Sequence, residues 1–270
     1  MKAESEKNNR MHDIALDALT TGYRTREGVR VVARNLTETV PPAAVTCLLG
    51  PNGAGKSTLL RTIANLQPPI SGCTRIDGIP VDKIPPHDLS KLIGIVLTGR
   101  GNTSAMKAEE LVGLGRTPYT NYWGKLTADD RRIVDEAISQ VGADNLRGRL
   151  AASLSDGEMQ KIMIAKTLAQ QTSVIILDEP TAFLDFPGKV ELMKLLRRLA
   201  TDDGKTVFLS THDLDIALAT TDYVWLLDRD GNLETGDVES VGRRGSLDRL
   251  FACDGLRYNP SLRHFEINRT

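Results

Sequence analysis

The stretch Gly50-Pro51-Asn52-Gly53-Ala54-Gly55-Lys56-Ser57-Thr58 leaves this chain few folds to choose from. It fits the phosphate-binding pattern G-x-x-x-x-G-K-[ST] in full. Before it, Ala44 to Leu49 read as a short buried strand; after it, Leu59 to Ala64 read as the start of a helix. That is the strand–loop–helix setting the pattern needs. Glycines at three positions let the backbone wrap a phosphate where a Cβ would clash. Several backbone N–H groups and the helix N-terminus then face the anion. Lys56 supplies a mobile charge for the β- and γ-phosphates, and Ser57 offers a hydroxyl to Mg²⁺. A glycine-rich turn that merely joins strand to helix would not require Lys-Ser-Thr at its end.

The 270 residues suffice for one large α/β domain or two small ones. A net charge of −1 gives no electrostatic case for nucleic-acid binding and none for a strongly cationic membrane surface. Cys47, Cys73 and Cys253 lack metal-ligand spacing, and Cys47 reads as a small core residue in an apolar strand. This usage fits a reducing cytosol. No apolar run approaches a membrane span and no signal peptide is visible. The chain is expected to be soluble on its own, so work at a membrane requires a partner that carries the membrane segments.

Residues 1–11 read as a flexible N-terminus, 12–240 as the main domain and 241–270 as an extension. Ile14 to Thr20 suggests a strand, Tyr23 lies in a turn-like stretch, and Val29 to Val40 is further strand. Thr74 to Val81 reads as a hairpin around Asp77-Gly78, and Leu92 to Leu97 as a strand. Residues 99–152 then change character. Ala108 to Leu114 and Ala128 to Val141 read as amphipathic helices, the second capped by Thr127, so about 99–152 forms a helical insert in an α/β core. A helix from about Glu158 to Gln170 follows. Strand 174–177, helix 187–201, strand 206–210, helix 214–220 and a closing hairpin around Asp230-Gly231 complete the core. The tail carries a short helix, Leu247 to Phe251, and one last strand.

Further chemistry sits at strand and helix ends. Val174 to Leu177 runs into Asp178-Glu179-Pro180, and a parallel strand delivers its C-terminal residues to the ligand edge of a sheet. Asp178 can hold Mg²⁺, and Glu179 can orient the attacking water. Leu154-Ser155-Asp156-Gly157-Glu158 precedes a helix that Ser155 or Asp156 can cap, and Gly157 leaves room for a phosphate at the first N–H groups. Read locally, that is an ordinary helix cap. Two such helix starts cannot hold the same γ-phosphate unless the chain folds back or dimerises.

The order of Lys56-Ser57-Thr58, Leu154-Ser155-Asp156-Gly157-Glu158, Asp178-Glu179 and Ser210-Thr211-His212-Asp213 resembles an ABC-type ATPase subunit, from Leu19 to about residue 240. The resemblance implies a P-loop NTPase (RecA-like) α/β core with an N-terminal antiparallel β subdomain and an inserted α-helical subdomain. It implies ATP held by Gly50, Pro51, Asn52, Gly53, Ala54, Gly55, Lys56, Ser57 and Thr58, with Mg²⁺ at Ser57 and Asp178. Tyr23 matches the aromatic that stacks on adenine. Ser155 and Gly157 match the signature that closes on the γ-phosphate of a second subunit, and Leu184-Asp185 matches the loop crossing that interface. His212 matches the switch histidine; with Glu179 and Lys56 it makes up the implied catalytic set. The implied partners are a second copy in an ATP sandwich, integral membrane permease subunits and, indirectly, a substrate-binding protein, with the chain peripheral on the cytoplasmic face of the membrane.

Two departures from the family pattern stand out. Asp156 and Glu158 replace the commoner glycine and glutamine of the signature, and Thr98 stands where most members carry a glutamine after the strand ending at Leu97. The stretch Leu114-Gly115-Arg116-Thr117-Pro118-Tyr119 resembles the branch that powers importers of iron–siderophore, haem and cobalamin complexes. Three other readings compete with it: an exporter ATPase subunit, a soluble ABC ATPase, and a P-loop kinase. The kinase would lack both the signature and the late histidine; the soluble class usually carries a coiled coil or a second cassette.

Overall fold

The computed structural model describes residues 11–26, 28–97, 105–251 and 256–267. Thr98 and the run Gly99 to Asn102 lie outside the described residues, as do Cys253 and all of the expected flexible N-terminus except Met11.

Strand β4 (Val45–Leu49), all five residues buried, leads through the glycine-rich loop into helix α1 (Lys56–Ile63). β4 lies inside a six-stranded sheet ordered β11 (Leu233–Asp237), β10 (Tyr223–Leu227), β4, β9 (Thr206–Ser210), β8 (Val174–Asp178), β7 (Ile93–Val96). Neighbours run parallel except β10 and β11, which form the closing hairpin. β4, β8 and β9 are buried at every position and largely apolar because both faces are covered. On one face Leu48, Ile176, Phe208 and Trp225 pack against Leu59, Leu60 and Ile63 of α1. On the other, Cys47, Leu177 and Leu209 meet the helices.

The layer beyond α1 is an antiparallel sheet. Its order is β2 (Gly28–Leu36), β1 (Ile14–Thr25), β5 (Ser71–Ile76) and β6 (Ile79–Pro80), with β3 (Thr39–Val40) also paired to β1. β1 is longer than the sequence predicts and contains Tyr23 rather than ending before it. Gly22 reads as a turn signal, but here it marks a close approach: a Cβ would lie 2.2 Å from the Arg30 carbonyl oxygen on β2. Asp77 and Gly78, both with positive φ, turn the β5–β6 hairpin as expected.

Helix α2 (Pro86–Leu92) carries no buried residue, so it leaves no apolar stripe in the sequence, and Leu92 belongs to it rather than to β7. α3 (Ala108–Gly113) and α4 (Ala128–Gln140) form the helical insert. Thr127 caps α4 by accepting the Asp130 N–H, as expected. α5 (Asp156–Ala169), α6 (Phe186–Thr201) and α7 (Leu214–Thr220) cover the same sheet face, and Ile133, Ile138, Ile162 and Leu196 merge into one core with it. The tail holds more than the sequence suggests. Short helices α8 (Val238–Arg243) and α9 (Ser246–Leu250) precede a hairpin of β12 (Leu256–Asn259) and β13 (His264–Ile267). Val241, Leu247 and Tyr258 join the main core.

Candidate active site

The loop from β4 to α1 has its shape because glycine stands where no other residue fits. Gly53 and Gly55 have φ of 83° and 102°, and a Cβ on Gly55 would lie 1.9 Å from Val32 Cγ1. The loop ends at the α1 N-terminus, where backbone N–H groups have no helical acceptor. A cavity of 330 Å³ opens in front of it, lined by Tyr23, Arg30, Asn52, Gly53, Lys56 to Thr58 and Glu179.

Lys56 is buried, and its Nζ donates to the Gly50 carbonyl at 2.8 Å and the Pro51 carbonyl at 3.4 Å. Burial pushes its ammonium below its ordinary pKa, while Glu179 and Asp178 pull it back up. The Glu179 Oε1 is 3.9 Å from Nζ. Beneath the loop, burial and then the charge of Glu179 push the Cys47 thiol up, which keeps it an inert core thiol.

Asp178 is fully buried at the carboxyl end of β8. Ser57 Oγ donates to its Oδ1 at 3.0 Å, and Ser210 Oγ donates to the same oxygen at 2.7 Å. The Glu179 N–H donates to Ser210 Oγ at 3.0 Å. Glu179 has a left-handed φ of 53°, which turns its side chain out of the strand direction toward the cavity. His212, just beyond β9, places Nδ1 2.5 Å from Glu179 Oε2. Behind it, Asp213 accepts from Thr181 Oγ1 at 2.6 Å and from Lys189 Nζ at 2.8 Å. Burial pushes the Asp213 carboxyl up, but those hydrogen bonds outweigh it and hold the carboxyl below its usual range.

The hydroxyl of Ser57 beside an Asp178 carboxylate is a hard-oxygen pair of the kind Mg²⁺ takes. Among the described residues no cluster of three or more His, Cys, Asp or Glu could hold a metal alone. A divalent cation at this pair would need further oxygen ligands, such as nucleotide phosphates, and the Ser57 hydroxyl and Asp178 carboxylate fit that arrangement.

Ser155 and Gly157 are not brought to this cavity. Ser155 caps α5, accepting the Glu158 N–H at 3.2 Å while its own N–H donates to the Glu158 carboxylate at 2.8 Å. Arg149 holds that carboxylate from the helical insert at 2.7 Å. Glu158, a departure in the sequence, thus completes a capping box. A Cβ on Gly157 would lie 2.7 Å from the Phe183 carbonyl oxygen, so glycine is required there by packing against the 181–185 loop. Tyr23 lines the cavity with its ring partly exposed and its hydroxyl hydrogen-bonded to Thr58 Oγ1.

The ABC transporter family profile matches residues 33–182, more than half of the chain. The chain belongs to the ABC transporter family. It is 38% identical over 92% of its length to the ABC transporter ATP-binding protein MJ0873 of Methanocaldococcus jannaschii, covering 84% of that protein. It is 32% identical to the iron(3+)-hydroxamate import ATP-binding protein FhuC of Bacillus subtilis, over 90% of this chain and 89% of FhuC. Its fold is similar to the dimeric bacterial ABC transporter cassette MJ0796, with a TM-score of 0.75 and 27% identity over 83% of this chain and 98% of that one. The same cassette bound to ADP and Pi after hydrolysis gives a TM-score of 0.74 at 28% identity, with the same coverage. As an ABC cassette this chain is an ATP-binding ATPase built on the α/β fold expected from its sequence.

Sequence reasoning placed Ser210 at a strand end and in the motif with His212 but gave it no role of its own, and made no reading of Thr181. The pairing of β8 with β9 sets Asp178 opposite Ser210, and the loop after β8 folds back so that Thr181 bonds Thr211 and Asp213. The Leu114–Tyr119 segment of the cassette owes its composition to packing. Gly115 has no room for a Cβ, which would lie 2.2 Å from the Lys166 carbonyl. Arg116, buried, reaches Asp130, the Ala169 carbonyl and Gln171, each at 2.9 Å, with its guanidinium 4.0 Å from the centroid of the Tyr119 ring. This knot fastens the insert to the far end of α5, the helix whose near end is capped by Ser155.

Proposed function

We infer that this chain is the ATP-hydrolysing subunit of a membrane importer for iron–siderophore, haem or cobalamin complexes. The observation that carries the chemistry is the convergence of Lys56, Ser57 and Glu179 on one cavity, with buried Asp178 directly behind it and hydrogen-bonded to Ser57. Lys56 exchanges its bonds to the Gly50 and Pro51 carbonyls for β- and γ-phosphate oxygens, and the loop N–H groups hold the rest. Mg²⁺ bound with the nucleotide would be held by Ser57 and Asp178 and would supply charge neutralisation on the phosphates. Glu179 orients water for attack on the γ-phosphorus and takes its proton as the bond to the β–γ bridging oxygen breaks, giving ADP and inorganic phosphate. His212 leaves Glu179 to contact the γ-phosphate, and the Tyr23 ring packs on the adenine.

A homodimer is favoured because Ser155 and Gly157 do not line the cavity of their own chain, and because the similar cassette MJ0796 is dimeric. Exposed Phe183 and Phe186 flank Leu184-Asp185 and suit a surface covered by a second copy. No helix among the described residues is long and apolar enough to cross a membrane; in this reading integral permease subunits carry the transport path and the chain is peripheral, on the cytoplasmic face. A groove of 580 Å³ between the helical insert, α2 and α5 suits permease docking, with Tyr122 and Trp123 exposed at its edge. Residues 12–240 form the ATPase domain in this reading, with the insert at about 99–152, and 241–270 extend it. Likeness to FhuC and the Leu114–Tyr119 segment favour import of metal chelates over export or a soluble role. The test is reconstitution with the co-purified permease in liposomes. ATP-driven uptake of a ferric hydroxamate, haem or cobalamin is expected; purification from membranes with no integral membrane protein attached would refute it.

A further inference from the structure

Ser210 is the only residue among those described that hydrogen-bonds both Asp178 and the Glu179 backbone through one side chain. The cause lies in the sheet. β8 and β9 run parallel with Asp178 opposite Ser210, so the last residue of β9 lies beside the last residue of β8. Both are fully buried. A hydroxyl has one proton to give and lone pairs to accept with. Here the proton goes to Asp178 Oδ1 at 2.7 Å, and a lone pair accepts the Glu179 N–H at 3.0 Å. The Ser210 carbonyl shares that N–H at 3.1 Å. The first bond fixes the Asp178 carboxylate in the rotamer that presents it to Ser57, whose hydroxyl meets the same Oδ1 at 3.0 Å. The second anchors the peptide on which Glu179 makes its left-handed turn, with φ of 53°. Non-glycine residues persist in that conformation only where the surroundings hold them.

Building on the ATPase reading above, we propose that Ser210 is a positioning residue that sets the metal-side carboxylate of Asp178 and the water-side carboxylate of Glu179 as one unit. It does not line the nucleotide cavity and has no reason to touch the nucleotide. Its absence therefore acts on how the two carboxylates are aimed, not on how phosphates are bound. Outer-shell partners of metal ligands typically contribute about 10- to 100-fold in metal affinity or activity.

The experiment compares ATP affinity with Mg²⁺ and with EDTA for the parent, Ser210→Ala, Ser210→Cys and Ser210→Thr, alongside steady-state ATPase and thermal unfolding. The parent should bind ATP more tightly with Mg²⁺. Ser210→Ala should lower that Mg²⁺-to-EDTA ratio and kcat about 10-fold each, with affinity in EDTA within about twofold of the parent. Ser210→Cys keeps the shape but offers only a weak S–H donor, so it should fall with Ser210→Ala and decides the matter should the alanine variant unfold. Ser210→Thr keeps the hydroxyl and should restore the ratio. A ratio unchanged in both Ser210→Ala and Ser210→Cys, or a loss equal in Mg²⁺ and EDTA, overturns the proposal while leaving the ATPase reading standing. A parent that binds no Mg·ATP overturns the ATPase reading itself, and this proposal with it.

Discussion

His212 and Glu179 meet across the carboxyl ends of two adjacent parallel strands, with Nδ1 and Oε2 2.5 Å apart. Each is held from behind: Glu179 by Ser210, and the His212 turn by the Thr181–Asp213–Lys189 hydrogen bonds. In the mechanism proposed above, the imidazole competes with the attacking water for the same carboxylate and must be drawn away for Glu179 to act. In this account the γ-phosphate draws it away. His212→Ala should therefore bind Mg·ATP within about threefold of the parent and lose on the order of 10² in kcat, because the carboxylate is released without a group on the phosphate side. Nucleotide binding and steady-state hydrolysis measure the two terms separately. Parent-like turnover would mean that the contact is incidental.

Gly157 tests the proposed role of the 155–157 segment at the dimer interface. A methyl there would lie 2.7 Å from the Phe183 carbonyl oxygen, and a backbone neighbour cannot swing away as a side chain can. Gly157→Ala should displace the 181–185 loop, and with it the surface offered to a second copy. ATP binding by one chain should stay within about twofold, while the ATP-dependent dimer is lost in size-exclusion chromatography. A variant that dimerises with ATP as the parent does would remove the signature from the interface.

Much of this was readable in the chain because it rests on local rules. The loop glycines, the Ser155 and Thr127 caps and the Asp77-Gly78 turn each follow from what a few neighbouring residues can do. Helix α2 was not, because none of its residues is fully buried and only Leu89 and Leu92 lean on the core, too few to set a period. The extent of β1 past Gly22 was not either, since the close approach of β2 that demands glycine comes from a paired strand. Ser210 and Thr181 were missed for the same reason: their roles arise from the register of β8 against β9 and from a loop folding back, neither of which a residue pattern records. The Arg116 segment was noticed, but its cause, a buried ion pair, appears only in three dimensions.

That ion pair sets a pH dependence. Burial pushes the Asp130 carboxyl up, but hydrogen bonds from Thr127 and Arg116 outweigh it and hold the carboxyl below its ordinary value. A carboxyl lowered in the folded state adds stability above its unfolded pKa of about 3.9 and loses it as pH falls through the folded value. Removing one partner of a buried pair typically costs about 3–5 kcal/mol, so Asp130→Asn should lower the unfolding free energy by about that much at neutral pH. The gap to the parent should stay level from about pH 8 to about pH 5 and close below about pH 4. Denaturant titrations across that range check both. A gap that widens as pH falls would contradict the assignment.

The central claim is that Glu179 orients the water on a phosphate held by Lys56 and its loop. The direct measurement is Mg²⁺-dependent ATP hydrolysis by the purified parent, Lys56→Ala and Glu179→Gln, with ATP binding and dimerisation followed in the same samples. Lys56→Ala should lose tight Mg·ATP binding. Glu179→Gln should bind ATP, dimerise with it, separate with ADP, and turn over on the order of 10²–10⁴ times more slowly than the parent. Glu179→Gln hydrolysing ATP at the parent rate would contradict the account.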